Sequence, residues 1–220
     1  MTHRTRIKVC GLRREADVAA AVEAGADAIG FVFYAKSPRA ITPPDAARLA
    51  RVLPPFVMPV GLFVNASDAE LGAALDAVPN MLIQFHGDET AAQCERVQRP
   101  YIRAARMAPG FDLLNFAASF TSAQAILLDA HVDGYGGGGK VFDWSLVPQG
   151  VRSPLVLSGG LSAANVADGI AHVRPWAVDV SSGVESSKGV KDPGLIHEFC
   201  RAVRQADERL AAAGLDRERP

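Results

Sequence analysis

The 220-residue chain predicts an α/β fold, a single (β/α)8 barrel spanning residues 1–220. Three observations carry that prediction. Short β-branched or apolar runs alternate eight times with Ala-rich segments at helical period. The runs begin about 24 residues apart, which is the length of one βα unit. Most are nearly continuous apolar stretches, as strands covered on both faces must be. An open doubly wound sheet of the same units is the alternative architecture. No composition break, linker or low-complexity segment marks a second domain.

Ile7–Cys10 is the first strand, and the helix pattern Glu15–Ala24 behind it stops at Gly25, which suits the left-handed conformation of a helix end. Ala28–Phe33 is the second strand. Pro43 or Pro44 opens the next helix, because a fixed φ and a missing N–H cost nothing in the first turn. Val57–Val64 is the third strand, and Ser67-Asp-Ala-Glu70 supplies an N-cap with a carboxylate at N3. Met81–Phe85 is the fourth, with Asp88 as the N-cap of the helix that follows. After Tyr101–Ala104, the stretch from Pro109 to Thr121 is Phe-rich and poorly patterned, so the fifth helix is weak or replaced by a packed loop. Ala125–Asp129, Leu155–Leu157 and Ala177–Val180 complete the eight strands. Ser162 is positioned to cap the seventh helix, and Asp192-Pro193 to start a long last helix through about Arg209. Residues 211–220 are charged and Ala-rich and are predicted to fray.

Composition narrows the function. With 23 basic and 24 acidic side chains, the net charge of −1 offers no electrostatic footprint for nucleic acid or an anionic membrane. No apolar run approaches the ~20 residues of a membrane span, and no signal-peptide apolar region follows Met1–Arg6. Cys10, Cys94 and Cys200 are odd in number and far apart, which implies neither a disulfide framework nor a metal site. A cytoplasmic protein without metal or cofactor is expected.

In a (β/α)8 barrel the active site lies at the C-terminal ends of the strands, so residues just past each strand are the candidates. Cys10 is one. A lone cysteine is most often a small buried hydrophobe, but this one ends a strand and precedes Gly11. Lys8, two residues earlier, shares its side of the strand, and an ammonium there would favour the thiolate and lower the thiol pKa. Cys94 and Cys200 fall inside helix patterns and read as packing residues. Asp129 closes the run Ala-Ile-Leu-Leu-Asp, where an aspartate commonly turns the chain. At a barrel mouth its partial desolvation would instead suit a general acid. Together, Cys10 on strand one and Asp129 on strand six form a plausible acid/base pair.

Two glycine loops follow strands seven and eight: Ser158-Gly159-Gly160-Leu161 and Ser181-Ser182-Gly183-Val184-Glu185. Backbone N–H groups and a helix N-terminus at this place bind phosphate in many barrels, so Gly159, Gly160, Ser182 and Gly183 are the candidate phosphate residues. Arg39, in Ser37-Pro38-Arg39, would be a solvated loop arginine by itself; beside an acid, a base and a phosphate site it becomes a candidate bidentate carboxylate anchor. His86 fits a structural or a functional role equally, and Asp179 either faces the barrel interior or its outside. A third glycine loop, Gly134–Lys140, resembles a dinucleotide or P-loop pattern but fails both. Val141 stands where a P-loop needs Ser or Thr, and no acid follows at the dinucleotide spacing. A loop that covers substrate suits it better.

Taken in order, these segments resemble the phosphoribosylanthranilate isomerase family of tryptophan biosynthesis. The resemblance runs through Ile7-Lys-Val-Cys-Gly-Leu12, Ser37-Pro-Arg-Ala-Ile41, Val60-Gly-Leu-Phe-Val-Asn65 and Ile83-Gln-Phe-His-Gly-Asp-Glu89. It continues through Leu127-Leu-Asp129, Gly136–Lys140, Leu157-Ser-Gly-Gly-Leu161 and Asp179-Val-Ser-Ser-Gly-Val-Glu185. Departures are small: four glycines replace a frequent hydroxyl residue in the third loop, and Phe85 a common Leu. The resemblance implies a TIM barrel that converts N-(5-phosphoribosyl)anthranilate to 1-(2-carboxyphenylamino)-1-deoxyribulose 5-phosphate. It further implies Asp129 as general acid, Cys10 as general base, Arg39 on the anthranilate carboxylate and the two glycine loops on the phosphate. Its only expected partner is this small phosphosugar substrate, in a monomer or a homodimer.

Competing readings are other phosphosugar barrels and a non-catalytic binding protein on a degenerate barrel. Indole-glycerol-phosphate synthase would carry catalytic lysines on its early strands, and the histidine-pathway isomerase an aspartate where this chain has Cys10. A degenerate binding protein would keep the phosphate loops and lose the acid or the base.

Overall fold

The computed structural model describes residues 4–130 and 141–214. Eight parallel strands close a barrel in chain order. They are β1 (Arg6–Cys10), β2 (Ala28–Phe33), β3 (Met58–Phe63), β4 (Leu82–Phe85), β5 (Tyr101–Met107), β6 (Ala125–Ala130), β7 (Leu155–Leu157) and β8 (Ala177–Val180). Closure is made by β1 on β8, where Lys8 lies opposite Asp179. This is the predicted architecture and not the open sheet.

The helices behind the strands are α1 (Glu15–Glu23), α2 (Pro43–Ala50), α3 (Asp68–Ala77), α4 (Ala91–Arg96), α5 (Leu113–Ser119), α6 (Val166–Val173) and α7 (Pro193–Ala212). Local chemistry explains most of their starts. Thr42 accepts a hydrogen bond from the Asp45 N–H, with prolines filling the first turn of α2. Ser67 and Glu70 form the expected capping box on α3. Asp192 accepts from the Leu195 N–H at the start of α7, which extends three residues past Arg209, to Ala212. The fifth element is a short helix and not a packed loop, capped by Asp112 and packed through Phe111, Phe116 and Phe120.

Three local expectations are corrected. Thr90, with Gln93 in a capping box, starts α4; Asp88 instead pairs with Arg106. Asn165, not Ser162, precedes α6, and its Oδ1 accepts from the Ser162 N–H, so the side-chain bond runs the other way. Where the repeat predicts a sixth helix, the described residues after β6 hold only a 3-10 turn, Trp144–Leu146. A second 3-10 turn, Ser182–Val184, and a hairpin of β9 (Glu185–Ser187) and β10 (Val190–Lys191) follow β8. No sequence pattern announces that hairpin.

Strand side chains alternate between two apolar layers. Outside the barrel, Ile126 and Leu128 join a large cluster with the helices. Inside, Ile102, Ala104, Ala125, Leu127, Val156 and Ala177 form a separate, smaller cluster. Lys8, Gln84 and Asp179 have the inward parity and are buried, so the barrel interior is partly polar. Among the described residues, no helix is long and apolar enough to cross a membrane.

Candidate active site at the C-terminal ends of the strands

Cys10 is the last residue of β1, buried at 4% exposure, and faces Gly30 in the ladder with β2. A Cβ on Gly30 would stand 2.6 Å from the Cys10 Sγ, so the glycine clears the space in which the thiol sits. Gly11, at φ +81°, does the same for Arg39, whose Cδ would lie 2.6 Å from an added Cβ. Glycines thus bring the thiol of β1 and the arginine of the β2–α2 loop side by side.

Below the thiol, Lys8 Nζ and Asp179 Oδ1 form an ion pair at 2.8 Å, with both side chains almost wholly buried. Asp179 therefore faces inward. The thiol does not show the lowered pKa expected from the sequence. Burial pushes it up and the Asp179 carboxylate adds to that, outweighing the Lys8 and Lys191 ammonium groups that favour the thiolate.

Asp129 lies near the end of β6, also buried. Its Oδ2 is 3.0 Å from His86 Nε2, and its Oδ1 accepts from the Ala130 N–H at 3.0 Å. Gln84 sets the imidazole tautomer: its amide Nε2 is 3.0 Å from His86 Nδ1 and can only donate there. His86 Nε2 then carries the proton and donates to Asp129. The structure thus brings His86 into direct contact with the candidate acid.

Between the acid on β6 and the thiol on β1 lie only β7 and β8, whose glycine loops therefore sit between them on the rim. Gly159 and Gly160 have φ of +80° and +64°, and their N–H groups donate to no described residue. A Cβ on Gly183 would come within 1.8 Å of the Leu161 carbonyl oxygen. That glycine is required by contact between the two loops, a reason the sequence does not reveal. Ser182 and Gly183 belong to the 3-10 turn beside it. The loop Gly134–Lys140 lies outside the described residues.

Arg39 is buried, but its guanidinium is already engaged. Nε donates to Glu185 Oε1 at 2.6 Å and Nη2 to Oε2 at 2.8 Å. Lys191 Nζ joins at 2.8 Å from Oε1, and the Gly189 N–H at 3.0 Å from Oε2. These donors hold the Glu185 carboxyl down at about 2 against the effect of its burial. Lys191 also donates to the Ser181 carbonyl and hydroxyl oxygens, and the Ser181 hydroxyl donates to the Cys10 carbonyl. Glu185, Lys191 and Gln84 were not singled out from sequence. The one sequence signal that could find any of them is the place of Glu185 at the end of a glycine loop. Among the described residues, no three His, Cys, Asp or Glu side chains group as metal ligands would.

The rim therefore holds a buried thiol and a buried carboxyl on opposite sides of two glycine loops, with a fixed cation beside the thiol. That set suits proton transfer on a phosphorylated substrate. Comparison with known proteins agrees. The profile of the family described as N-(5′-phosphoribosyl)anthranilate (PRA) isomerase matches residues 7–202. The N-(5′-phosphoribosyl)anthranilate isomerase of Methylibium petroleiphilum is 73% identical over 210 residues, covering 96% of this chain and 99% of its own. A solved phosphoribosyl anthranilate isomerase in complex with reduced 1-(o-carboxyphenylamino)-1-deoxyribulose 5-phosphate superposes with a TM-score of 0.80. It is 40% identical, covering 91% of this chain and 99% of its own. Monomers generated from the dimeric enzyme of Thermotoga maritima match with a TM-score of 0.78 and 37% identity over the same shares, 91% and 99%.

Proposed function

The chain belongs to the N-(5′-phosphoribosyl)anthranilate isomerase family, and from that premise we propose how its residues divide the work. The protein is an isomerase of tryptophan biosynthesis, rearranging N-(5′-phosphoribosyl)anthranilate to 1-(2-carboxyphenylamino)-1-deoxyribulose 5-phosphate. The observation that carries the assignment of roles is the placement of Asp129 and Cys10 on β6 and β1, flanking the loops of β7 and β8.

Asp129 donates a proton to the furanose ring oxygen, and the ring opens to a Schiff base. His86 meets the resulting carboxylate with its Nε2–H. Cys10 takes the C2′ proton, giving an enolamine that tautomerises to the ketone. The raised thiol pKa makes the thiolate scarcer at neutral pH but a stronger base once formed. Lys8 and Lys191 are the cations that favour it. The unengaged N–H groups of Gly159 and Gly160, with Ser182 and Gly183, hold the phosphate. Arg39 takes the anthranilate carboxylate.

Turnover of freshly made substrate, followed by anthranilate fluorescence, tests the roles. Cys10→Ser and Asp129→Asn should each lose about 10² or more in rate while still binding the reduced product analogue. An undamaged Cys10→Ser enzyme would move the base elsewhere.

For the assembly we infer a homodimer. Val52 and Phe56, in the loop after α2, and Met58, at the start of β3, are exposed, Phe56 completely so, and the Thermotoga maritima relative is dimeric. Sedimentation velocity separates dimer from monomer.

A further inference from the structure

The Arg39 guanidinium has two edges on which a carboxylate can form paired hydrogen bonds: the side edge, Nε with Nη2, and the end edge, Nη1 with Nη2. Glu185 occupies the side edge. Its own carboxylate is saturated, each oxygen accepting two donors, from Arg39, Lys191 and the Gly189 N–H. All three side chains are nearly buried, at 7% for Arg39, 4% for Glu185 and 1% for Lys191. Two cations and one anion leave this cluster with one positive charge. Among the described residues, Nη1 of Arg39 has no hydrogen-bond partner. One edge is locked, one is open, and the surplus charge calls for an anion.

We infer that Glu185 is the positioning residue of substrate recognition: it pins Arg39 by the side edge so that the end edge is presented to the carboxylate on the substrate's aromatic ring. Lys191 anchors Glu185 from the other side, and the β9–β10 hairpin exists to bring Lys191 and the Gly189 N–H to it. The inference rests on the reading of Arg39 as the carboxylate anchor. A swap, in which the substrate displaces Glu185, is disfavoured because it would strand a buried carboxylate beside an incoming one.

Charge and positioning predict opposite results, which makes the inference testable. Removing the Glu185 charge alone leaves two cations and should tighten binding of an anion. Removing the pin should weaken it. The probes are the reduced product analogue and the same compound lacking the ring carboxylate. Wild-type enzyme should prefer the carboxylate form by about 10² in Kd, the scale of one charge-assisted bidentate pair. In E185Q that preference should fall about tenfold or more while binding of the compound without carboxylate stays within about twofold. KM should rise by the same factor, with kcat changed less than about threefold. Unchanged or stronger preference in E185Q, with the preference lost in R39Q, overturns the role of Glu185 and leaves Arg39 standing. No preference in wild type, or full preference in R39Q, removes the Arg39 reading itself.

A structure of the wild-type enzyme with the reduced analogue decides the matter even if E185Q does not fold. The ring carboxylate should sit on Nη1 and Nη2 with Glu185 still on Nε. A carboxylate on the Nε edge with Glu185 displaced overturns the inference.

Discussion

Gly30 lies directly across the β1–β2 ladder from Cys10, and a side chain on it would collide with the thiol at 2.6 Å and with the Cys10 Cα at 2.9 Å. The Cα belongs to the strand backbone and does not give way cheaply, which leaves the side-chain Sγ to move. Gly30→Ala should therefore displace Sγ and cost about 1–3 kcal/mol of stability, and turnover should drop by about 10² from misplacement of the base. Gly72→Ala is the control: that glycine lies inside α3 with nothing within 4 Å of an added Cβ. It should leave turnover unchanged and add roughly 0.5–1 kcal/mol. Thermal melts and turnover on the two variants check both statements.

In the proposed mechanism His86 acts through Asp129, to which it is hydrogen-bonded. Its Ala variant should lower kcat by about 10-fold or more with little change in KM, since the imidazole N–H meets charge that develops on the carboxylate only as the proton leaves. Gln84→Met removes the donor that sets the tautomer and should cost less, about 3–10-fold in kcat. Equal effects on kcat and KM would point to general disruption of the rim.

Lys8 and Asp179 are paired inside the barrel, and both side chains are almost wholly buried. Lys8→Met should destabilise by about 3–5 kcal/mol by leaving Asp179 buried and unpaired, and Asp179→Leu similarly. The double variant should lose much less than the sum, because no charge is then stranded. Urea unfolding of the four proteins supplies the cycle.

Burial raises the Cys10 pKa, so the log of the rate at which a small alkylating agent modifies this thiol in the unliganded enzyme should climb with pH at a slope of about 1 from pH 6 toward 9. A plateau near pH 7 would show that the thiolate forms more easily than burial allows. In Cys10→Ser this reaction should be lost.

Stability should respond at both ends of the pH scale. The folded Glu185 carboxyl, at about 2 against an ordinary 4.5, contributes stability that is complete above the ordinary value and lost as pH falls through about 2. At ~1.4 kcal/mol per pH unit the contribution is about 3 kcal/mol. The Cys94 and Cys200 thiols are pushed up to about 11 by burial. Their contribution is complete below the ordinary 9.0 and lost as pH rises through about 11. Melting temperatures of wild type and Glu185→Gln between pH 2 and 5 isolate the first effect.

The eight strands and the starts of α1, α2, α3 and α7 are legible in the chain because they depend on short-range facts. A strand buried on both faces is apolar throughout, and a cap is a hydrogen bond between residues three apart. Cys10, Asp129 and Arg39 are legible for a related reason: each is a polar or reactive group where a strand's end or the loop after it makes one expensive without purpose. The corrections are equally local in origin. Asp88 and Ser162 look like caps, yet Arg106 from β5 claims the first and the Asn165 side chain the N–H of the second.

Period, punctuation and residue type thus placed the strands and the rim residues without coordinates, and the resemblance of the ordered motifs pointed to the family. Tertiary structure alone decided which charges meet. Arg39 and Glu185 are separated by 146 residues, as Lys8 and Asp179 are by 171, and both pairs arise from the closure of β8 onto β1. The direction of the Cys10 pKa was decided there too. From the strand pattern Lys8 is a neighbouring cation, but closure of the barrel buries the thiol and hands that cation to Asp179. Desolvation and pairing depend on what the folded chain packs around a group, and no local pattern encodes them.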